Sequence, residues 1–156
     1  MKKLKCQLVL PLFVVLFLSG CEARMFIEIF LNNDEGVEVS LDIADHSRLK
    51  IDDESGIIYV VRGDAVLLEG CFFTQGEFSS YIEEISAKYS VNILKAAPEE
   101  SPSYYSFEAT VDNQIEYGFL EKIEGSDQTS VLFVSLDLSY EEAEEVFGQL
   151  HFDRIK

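Results

Sequence analysis

Histidine and cysteine are common catalytic and metal-binding residues, and this sequence has few of them. The 156 residues include two histidines and three cysteines. The tripeptide Asp45-His46-Ser47 has the residue types of a catalytic triad. Three adjacent residues cannot point their side chains into one relay, and triads are assembled from distant segments. We therefore interpret this tripeptide as a polar connection between strands, and the sequence predicts no catalytic residue.

The second histidine, His151, follows a segment with helical spacing. A histidine is favoured at the C-terminal end of a helix because the helix macrodipole places partial negative charge there. The sequence therefore predicts a structural role for His151 at the end of the last helix.

No metal site and no cofactor is predicted. The sequence contains no H-E-x-x-H, no C-x-x-C and no histidine pair at helical spacing, which are the common zinc patterns. Acidic turns occur at Asn32–Gly36 and Asp52–Gly56, but neither has the alternating ligands of a calcium-binding loop. A role for these turns is left open.

One cysteine, Cys71, lies in the apolar segment Gly70-Cys71-Phe72-Phe73. Cysteine often behaves as a small buried hydrophobic residue. Reactive cysteines have basic neighbours that lower the thiol pKa, and Cys71 has none in this segment. We predict a buried, inert side chain in a strand, and the alternative is a reactive thiol.

The N-terminus combines a basic start, a short apolar run and a small-residue motif. Lys2, Lys3 and Lys5 precede the apolar run from Leu8 to Leu18, and Leu18-Ser19-Gly20-Cys21 follows. A spanning helix needs ~20 apolar residues, so this run is too short, and its flanks are those of a secretory signal. These residues resemble the signal peptide and lipobox of a bacterial lipoprotein. The alternative is an ordinary N-terminal helix or strand.

The resemblance implies that residues 1–20 form a cleaved signal peptide and that Cys21 carries lipid such as palmitate. Residues 21–156 would then be a single domain, anchored to a membrane by its first residue. The implied location is the bacterial cell envelope, at the outer membrane or the outer face of the cytoplasmic membrane. In this family an aspartate after the cysteine favours inner-membrane retention, and here the residue is Glu22.

The acidity of the chain bears on its partners. Removal of the three leader lysines leaves nine basic residues against 29 acidic ones, a formal net charge of −20. Such a domain repels the backbone of nucleic acids, so nucleic-acid binding is excluded. A solvated surface explains much of this charge, and the sharper hypotheses are attraction to a basic protein partner or loose binding of divalent cations.

The elements that must position these residues are mostly strands. Apolar and alternating segments predict about seven to nine strands, and short turns between them predict a largely antiparallel sheet of the α+β class. The predicted strands are Met25–Leu31, Val37–Ile43, Arg48–Ile51, Ile57–Arg62, Ala65–Leu68, Val91–Leu94, Tyr105–Val111, Ile115–Ile123 and Val131–Leu136. Residues 70–73 are also assigned to a strand.

Two amphipathic helices, at about 74–89 and 139–151, are expected to pack on one face of this sheet. Each begins with a capping-box pattern, Thr74 with Glu77 and Ser139 with Glu142. Apolar residues then recur at helical spacing.

These observations predict a non-enzymatic binding or interaction module, for example an immunity-type or assembly lipoprotein. The alternative is an envelope enzyme, or an enzyme accessory, that uses acidic residues in a cleft. A carboxylate with a raised pKa in a cleft would favour the enzyme, and an exposed apolar patch would favour binding. The tripeptide Arg62-Gly63-Asp64 spells an integrin-binding motif on a predicted hairpin tip, and its role is left open.

Overall fold

The computed structural model describes residues 24–31, 35–42, 46–126, 129–135 and 137–155. The predicted signal peptide and Cys21 lie outside these residues. The described residues form ten strands and two helices. They are β1 Arg24–Phe30, β2 Gly36–Asp42, β3 Ser47–Ile51, β4 Ile58–Arg62, β5 Ala65–Thr74, α1 Gln75–Ser86, β6 Ser90–Ala97, β7 Tyr104–Val111, β8 Gln114–Lys122, β9 Thr129–Ser135, α2 Tyr140–Phe147 and β10 Leu150–Ile155.

The strands form two antiparallel sheets. One has three strands in the order β1-β2-β10, and the other has seven in the order β3-β4-β5-β9-β8-β7-β6. The predicted hairpins β1-β2 and β4-β5 are both present, and Gly63 takes a positive φ of 60° in the two-residue turn between β4 and β5. The prediction of a largely antiparallel fold is confirmed.

The main core lies between the two sheets. Alternate residues of β2 are fully buried against the seven-stranded sheet, including Val37, Val39 and Leu41. Helix α2 completes this layer with Ala143, Val146 and Phe147. The three-stranded sheet and α2 therefore cover the same face of the larger sheet, which we call its inner face.

Helix α1 packs on the opposite face of the larger sheet. Phe78 of α1 joins a second core cluster with Leu120 and Leu132, whereas their chain neighbours Phe119 and Phe133 belong to the main core. Successive strand residues point to opposite faces. The prediction that both helices lie on one face is therefore wrong, because each face of this sheet carries its own apolar set.

The second helix is shorter than predicted. Instead of spanning 139–151, it ends at Phe147, where the N–H of Gly148 donates to the carbonyl of Glu144 at 2.9 Å. Leu150–Ile155 then forms β10 and pairs with β2, which gives ten strands rather than seven to nine. Leu150 satisfies both patterns, since it continues the helical stripe and also begins an alternating segment. The capping box at Ser139 is confirmed, with Glu142 as the reciprocal partner.

The first helix also ends early, at Ser86 rather than at residue 89. The N–H of Tyr89 donates to the carbonyl of Ile85 at 2.8 Å, closing a turn before β6 starts at Ser90. The predicted Thr74 cap concerns a side chain outside the described part of the structure.

A buried glutamate ties the two sheets together. Glu35 is 7% exposed, and its carboxylate accepts hydrogen bonds from the hydroxyls of Ser126 and Thr129. Arg154 of β10 lies 3.1 Å from the same carboxylate, and it also donates to the carbonyl of Gly125 at 2.8 Å. These contacts join the β1-β2 turn and β10 to the β8-β9 turn.

Among the described residues, no helix is both long enough and apolar enough to cross a membrane.

Candidate functional site

The side chains of the three-stranded sheet that point away from the core form a regular surface, which we call the outer sheet face. Strand register aligns these side chains in rows that cross β1, β2 and β10. The first row, at one end of the sheet, is Arg24 with Asp42, and the second is Phe26, Ser40 and His151. The third row is Glu28, Glu38 and Asp153, and the fourth is Phe30, Gly36 and Ile155. Neither helix packs on this face in the described structure.

The third row, which we call the carboxylate row, places three acids side by side. Glu38 of β2 is paired directly with Glu28 of β1 and with Asp153 of β10. Partial burial, followed by the charges of Asp153 and Glu28, raises the pKa of Glu38. Like charges directly opposite each other destabilise a sheet. The row therefore works against the stability of the fold.

We expect Glu38→Gln to stabilise the protein. A raised folded-state pKa means that ionised Glu38 destabilises the fold above that pKa, and that the effect disappears below the unfolded value of ~4.3. At pH 7 the free energy of unfolding should rise by ~0.2–1 kcal/mol, the range of cross-strand pairs, toward the lower end because solvent screens this partly exposed group. Denaturant melts at pH 7 and pH 3 measure it.

The matched control is Glu84→Gln, because Glu84 is an exposed carboxylate on α1. This variant should leave the free energy of unfolding unchanged at both values of pH. A Glu38→Gln protein that is no more stable than the wild type at pH 7 would show that the row is not repulsive.

The row beside the carboxylates is apolar. Phe30 is 45% exposed, and its ring lies over Gly36. A Cβ on Gly36 would come within 3.1 Å of Ile155 and 3.3 Å of the Phe30 ring. Gly36 thus lets an aromatic ring lie across the sheet between its neighbours. An apolar strip next to three acids suits a partner that is both basic and apolar.

The opposite end of the outer sheet face carries a charged network. Asp42 accepts from Arg24 at 2.7 Å and contacts Nε2 of His151 at 2.9 Å. The hydrogen bond with His151 is the main cause that lowers the pKa of Asp42, and Arg24 adds to it. The predicted place of His151 at a helix end is wrong, since it lies in β10, but its structural role remains as a partner of Asp42.

A groove of about 270 Å³ adjoins this network, between β10 and the end of β8. Its lining includes Arg24 and His151 from the network, together with Glu121, Lys122 and Glu124. Burial raises the pKa of Glu121. Both signs of charge line the groove, so it is suited to a polar ligand or segment.

The other sequence candidates do not assemble into a site. Asp45 lies outside the described residues, His46 is exposed, and Ser47 begins β3 with its side chain buried. Asp52 accepts from the backbone N–H groups of Glu54 and Ser55 at 2.9 and 3.3 Å. These bonds lower the pKa of Asp52 and give the second acidic turn a structural role.

Cys71 is exposed, so the prediction of a buried side chain is wrong. It lies on the α1 face of the larger sheet, but α1 covers the region around Phe107 and Leu120 and leaves Cys71 open. A shallow apolar depression of about 130 Å³ adjoins the thiol and is lined also by Leu132 and Val134.

The Arg62-Gly63-Asp64 tripeptide is exposed at its hairpin tip. Hydrogen bonds with Ser139 lower the pKa of Glu142, and the charge of Arg62 adds a smaller effect in the same direction.

A hydroxyl cluster under α2 has the residue types of a nucleophile site. The hydroxyls of Ser106 and Tyr140 are 2.9 Å apart, and Tyr140 donates to Glu144 at 3.0 Å. Burial raises the pKa of the neighbouring Tyr104 to about 12. Ser106 belongs to β7 and Tyr140 to α2, so the hydrogen bond between them links the helix to the strand.

The carboxylate row was not predicted from the sequence. Its members are Glu28, Glu38 and Asp153, and the third belongs to β10, a strand that the sequence did not predict and whose first two residues fell within the predicted helix 139–151. The alternation of Leu150-His151-Phe152-Asp153 indicates a strand, but it does not indicate the register of that strand with β1 and β2.

No family model, no curated protein and no solved structure matches this chain. Among the described residues, no group of three or more histidine, cysteine or acidic side chains is arranged to hold a metal ion.

Proposed function

We propose that this chain is a lipid-anchored protein of the bacterial cell envelope that binds a protein partner without catalysing a reaction. The anchor is Cys21, in the motif Leu18-Ser19-Gly20-Cys21. The binding surface is the outer sheet face. An immunity-type or assembly lipoprotein is a concrete form of this function, held at the outer membrane or on the outer face of the cytoplasmic membrane.

The observation that carries the proposal is the carboxylate row on an uncovered sheet. Glu28, Glu38 and Asp153 repel one another across three strands, and exposed Phe30 adjoins them. A basic partner would neutralise this repulsion on binding. Charged patches also speed association with an oppositely charged partner, and they do so less at high salt.

The proposed anchor fits the position of this face. β1 begins at Arg24, three residues after Cys21, so an anchor on Cys21 would hold this end of the outer sheet face within about 10 Å of the membrane. A partner in the same compartment could reach the row without crossing the membrane.

The test compares proteins that co-purify from native membranes with the wild type, with Glu38→Lys and with Glu84→Lys. The two variants make the same change of charge, on the outer sheet face and on exposed α1. We expect one basic protein to be retained by the wild type and by Glu84→Lys, and to be lost with Glu38→Lys. Identical sets of proteins from all three would contradict the proposal.

One observation favours the alternative of an enzyme. Glu121, whose pKa is raised by burial, lines a groove with His151, and a carboxyl with a raised pKa near a histidine is suited to acid–base chemistry. A panel of ester, phosphate and glycoside substrates would test it. The enzyme requires an activity that Glu121→Gln removes and that Glu84→Gln, at an exposed carboxylate of α1, retains.

A further inference from the structure

The seven-stranded sheet has two edges, and they differ. The β3 edge lies beside β1, where the N–H of Leu49 donates to the sulfur of Met25 at 3.3 Å. The other edge is β6, whose one neighbour in the described sheet is β7. An uncovered edge presents main-chain groups that can pair with another strand.

The β6 edge is apolar as well as uncovered. Ile93 and Leu94 are each 39% exposed, although both are large hydrophobic residues. The register between β6 and β7 shifts between Ile93 and Lys95, so Leu94 has no partner in the register of β7. Pairing with another strand would remove their apolar surface from water.

The positive charge of Lys95, which could prevent another strand from pairing with this edge, points away from the edge. Lysine on an edge strand commonly prevents pairing. The ammonium group of Lys95, however, lies 3.8 Å from the carboxylate of Glu144 and 5.6 Å from the centre of the Tyr104 ring. Both partners are on the inner face of the sheet, so Lys95 does not block the approach of a strand.

The β6 edge also differs in charge from the rest of the chain. The chain carries a formal net charge of −17, yet residues 85–97 contain two lysines and no acidic residue. Two copies of so acidic a chain repel each other over most of their surfaces. Along β6 they can approach without placing acids opposite acids.

We infer that the β6 edge binds a second copy of this chain, by antiparallel pairing of the two β6 strands into one continuous sheet. A two-fold interface brings the same patch of both copies together. Centred on Ile93 and Leu94, the pair places Glu99 and Glu100, which follow β6 in one copy, at the end where Lys88 precedes β6 in the other. The ends of the interface are then complementary in charge. This inference is independent of the proposed function.

The test uses the full chain with the photo-cross-linking residue p-benzoylphenylalanine at position 93, irradiated in cells. We expect a product of twice the mass of the chain, in which mass spectrometry finds position 93 joined to β6 of a second copy. The matched control carries the same residue in place of Ile115, an exposed isoleucine of β8 that is 52% accessible and is not on an edge strand. It should give no such product.

A second measurement places the cross-linker at Asn92 and adds a lysine nearby. Ile93→Lys should reduce the dimeric product at least about tenfold, whereas Ile115→Lys should leave it unchanged, and thermal melts check that both variants fold. Salt should strengthen the wild-type dimer, because it screens the repulsion between copies. A product that joins position 93 to a different protein, or no product at all, would overturn the inference.

Discussion

Replacing Phe147 with alanine is expected to destabilise the protein more than any change on its surface. Phe147 is 6% exposed and lies where α2 meets both sheets. Its ring stacks on Phe119 with centroids 4.9 Å apart, and it contacts Phe133 and Phe152 at 6.0 and 6.1 Å. Truncating a buried phenylalanine typically costs ~3–5 kcal/mol, because lost burial is compounded by a cavity. We expect a loss in this range.

Denaturant melts of the full chain measure this loss, with Phe30→Ala as the matched control. Both variants remove the same atoms, but Phe30 is 45% exposed on the outer sheet face, so its removal leaves no enclosed cavity. We expect Phe30→Ala to reduce the free energy of unfolding by clearly less. Equal losses from the two variants would mean that Phe147 does not join α2 to the sheets as described.

Much of the fold follows from local sequence pattern. The hairpin of β4 and β5 has two apolar runs around Gly63-Asp64, and a glycine with positive φ suits the two-residue turn that joins them. The cap at Ser139 is equally local, because its partner Glu142 is three residues away. Such features need no knowledge of the rest of the chain.

The errors arise where a pattern has two solutions or where a distant element decides. Leu150 fits both a helix and a strand, and pairing with β2 selects the strand. The exposure of Cys71 depends on how far α1 extends over the sheet, which its own segment does not encode. The division of the strands into two sheets likewise depends on non-local contacts, since β10 pairs with a strand more than 100 residues earlier.

The candidate site could not be predicted from the sequence either, because it also depends on non-local strand pairing. An excess of acids was evident, and so was the expectation of a basic partner. That Glu28, Glu38 and Asp153 form one row required the register of three strands from both ends of the chain. A one-residue shift of β10 would turn Asp153 to the other face.

The proposed anchor predicts that one substitution, at Cys21, abolishes lipid attachment completely. Cys21→Ser is expected to abolish incorporation of labelled palmitate and to move the protein from the membrane fraction to the soluble fraction. Two or more acyl chains give stable anchoring, whereas one chain alone binds only marginally. Without acyl chains, the formal charge of −20 after Cys21 disfavours contact with anionic headgroups. The apolar run from Leu8 to Leu18 is also shorter than the ~20 residues that span a bilayer.

The matched control is Cys71→Ser, which makes the same substitution at a cysteine that is exposed in the folded domain. This variant should keep both the palmitate label and the membrane location of the wild type. Palmitate retained by Cys21→Ser would show that acylation occurs elsewhere in the chain. Loss of the label from Cys71→Ser would identify Cys71 as the acylated residue. Either result would contradict the proposed anchor at Cys21.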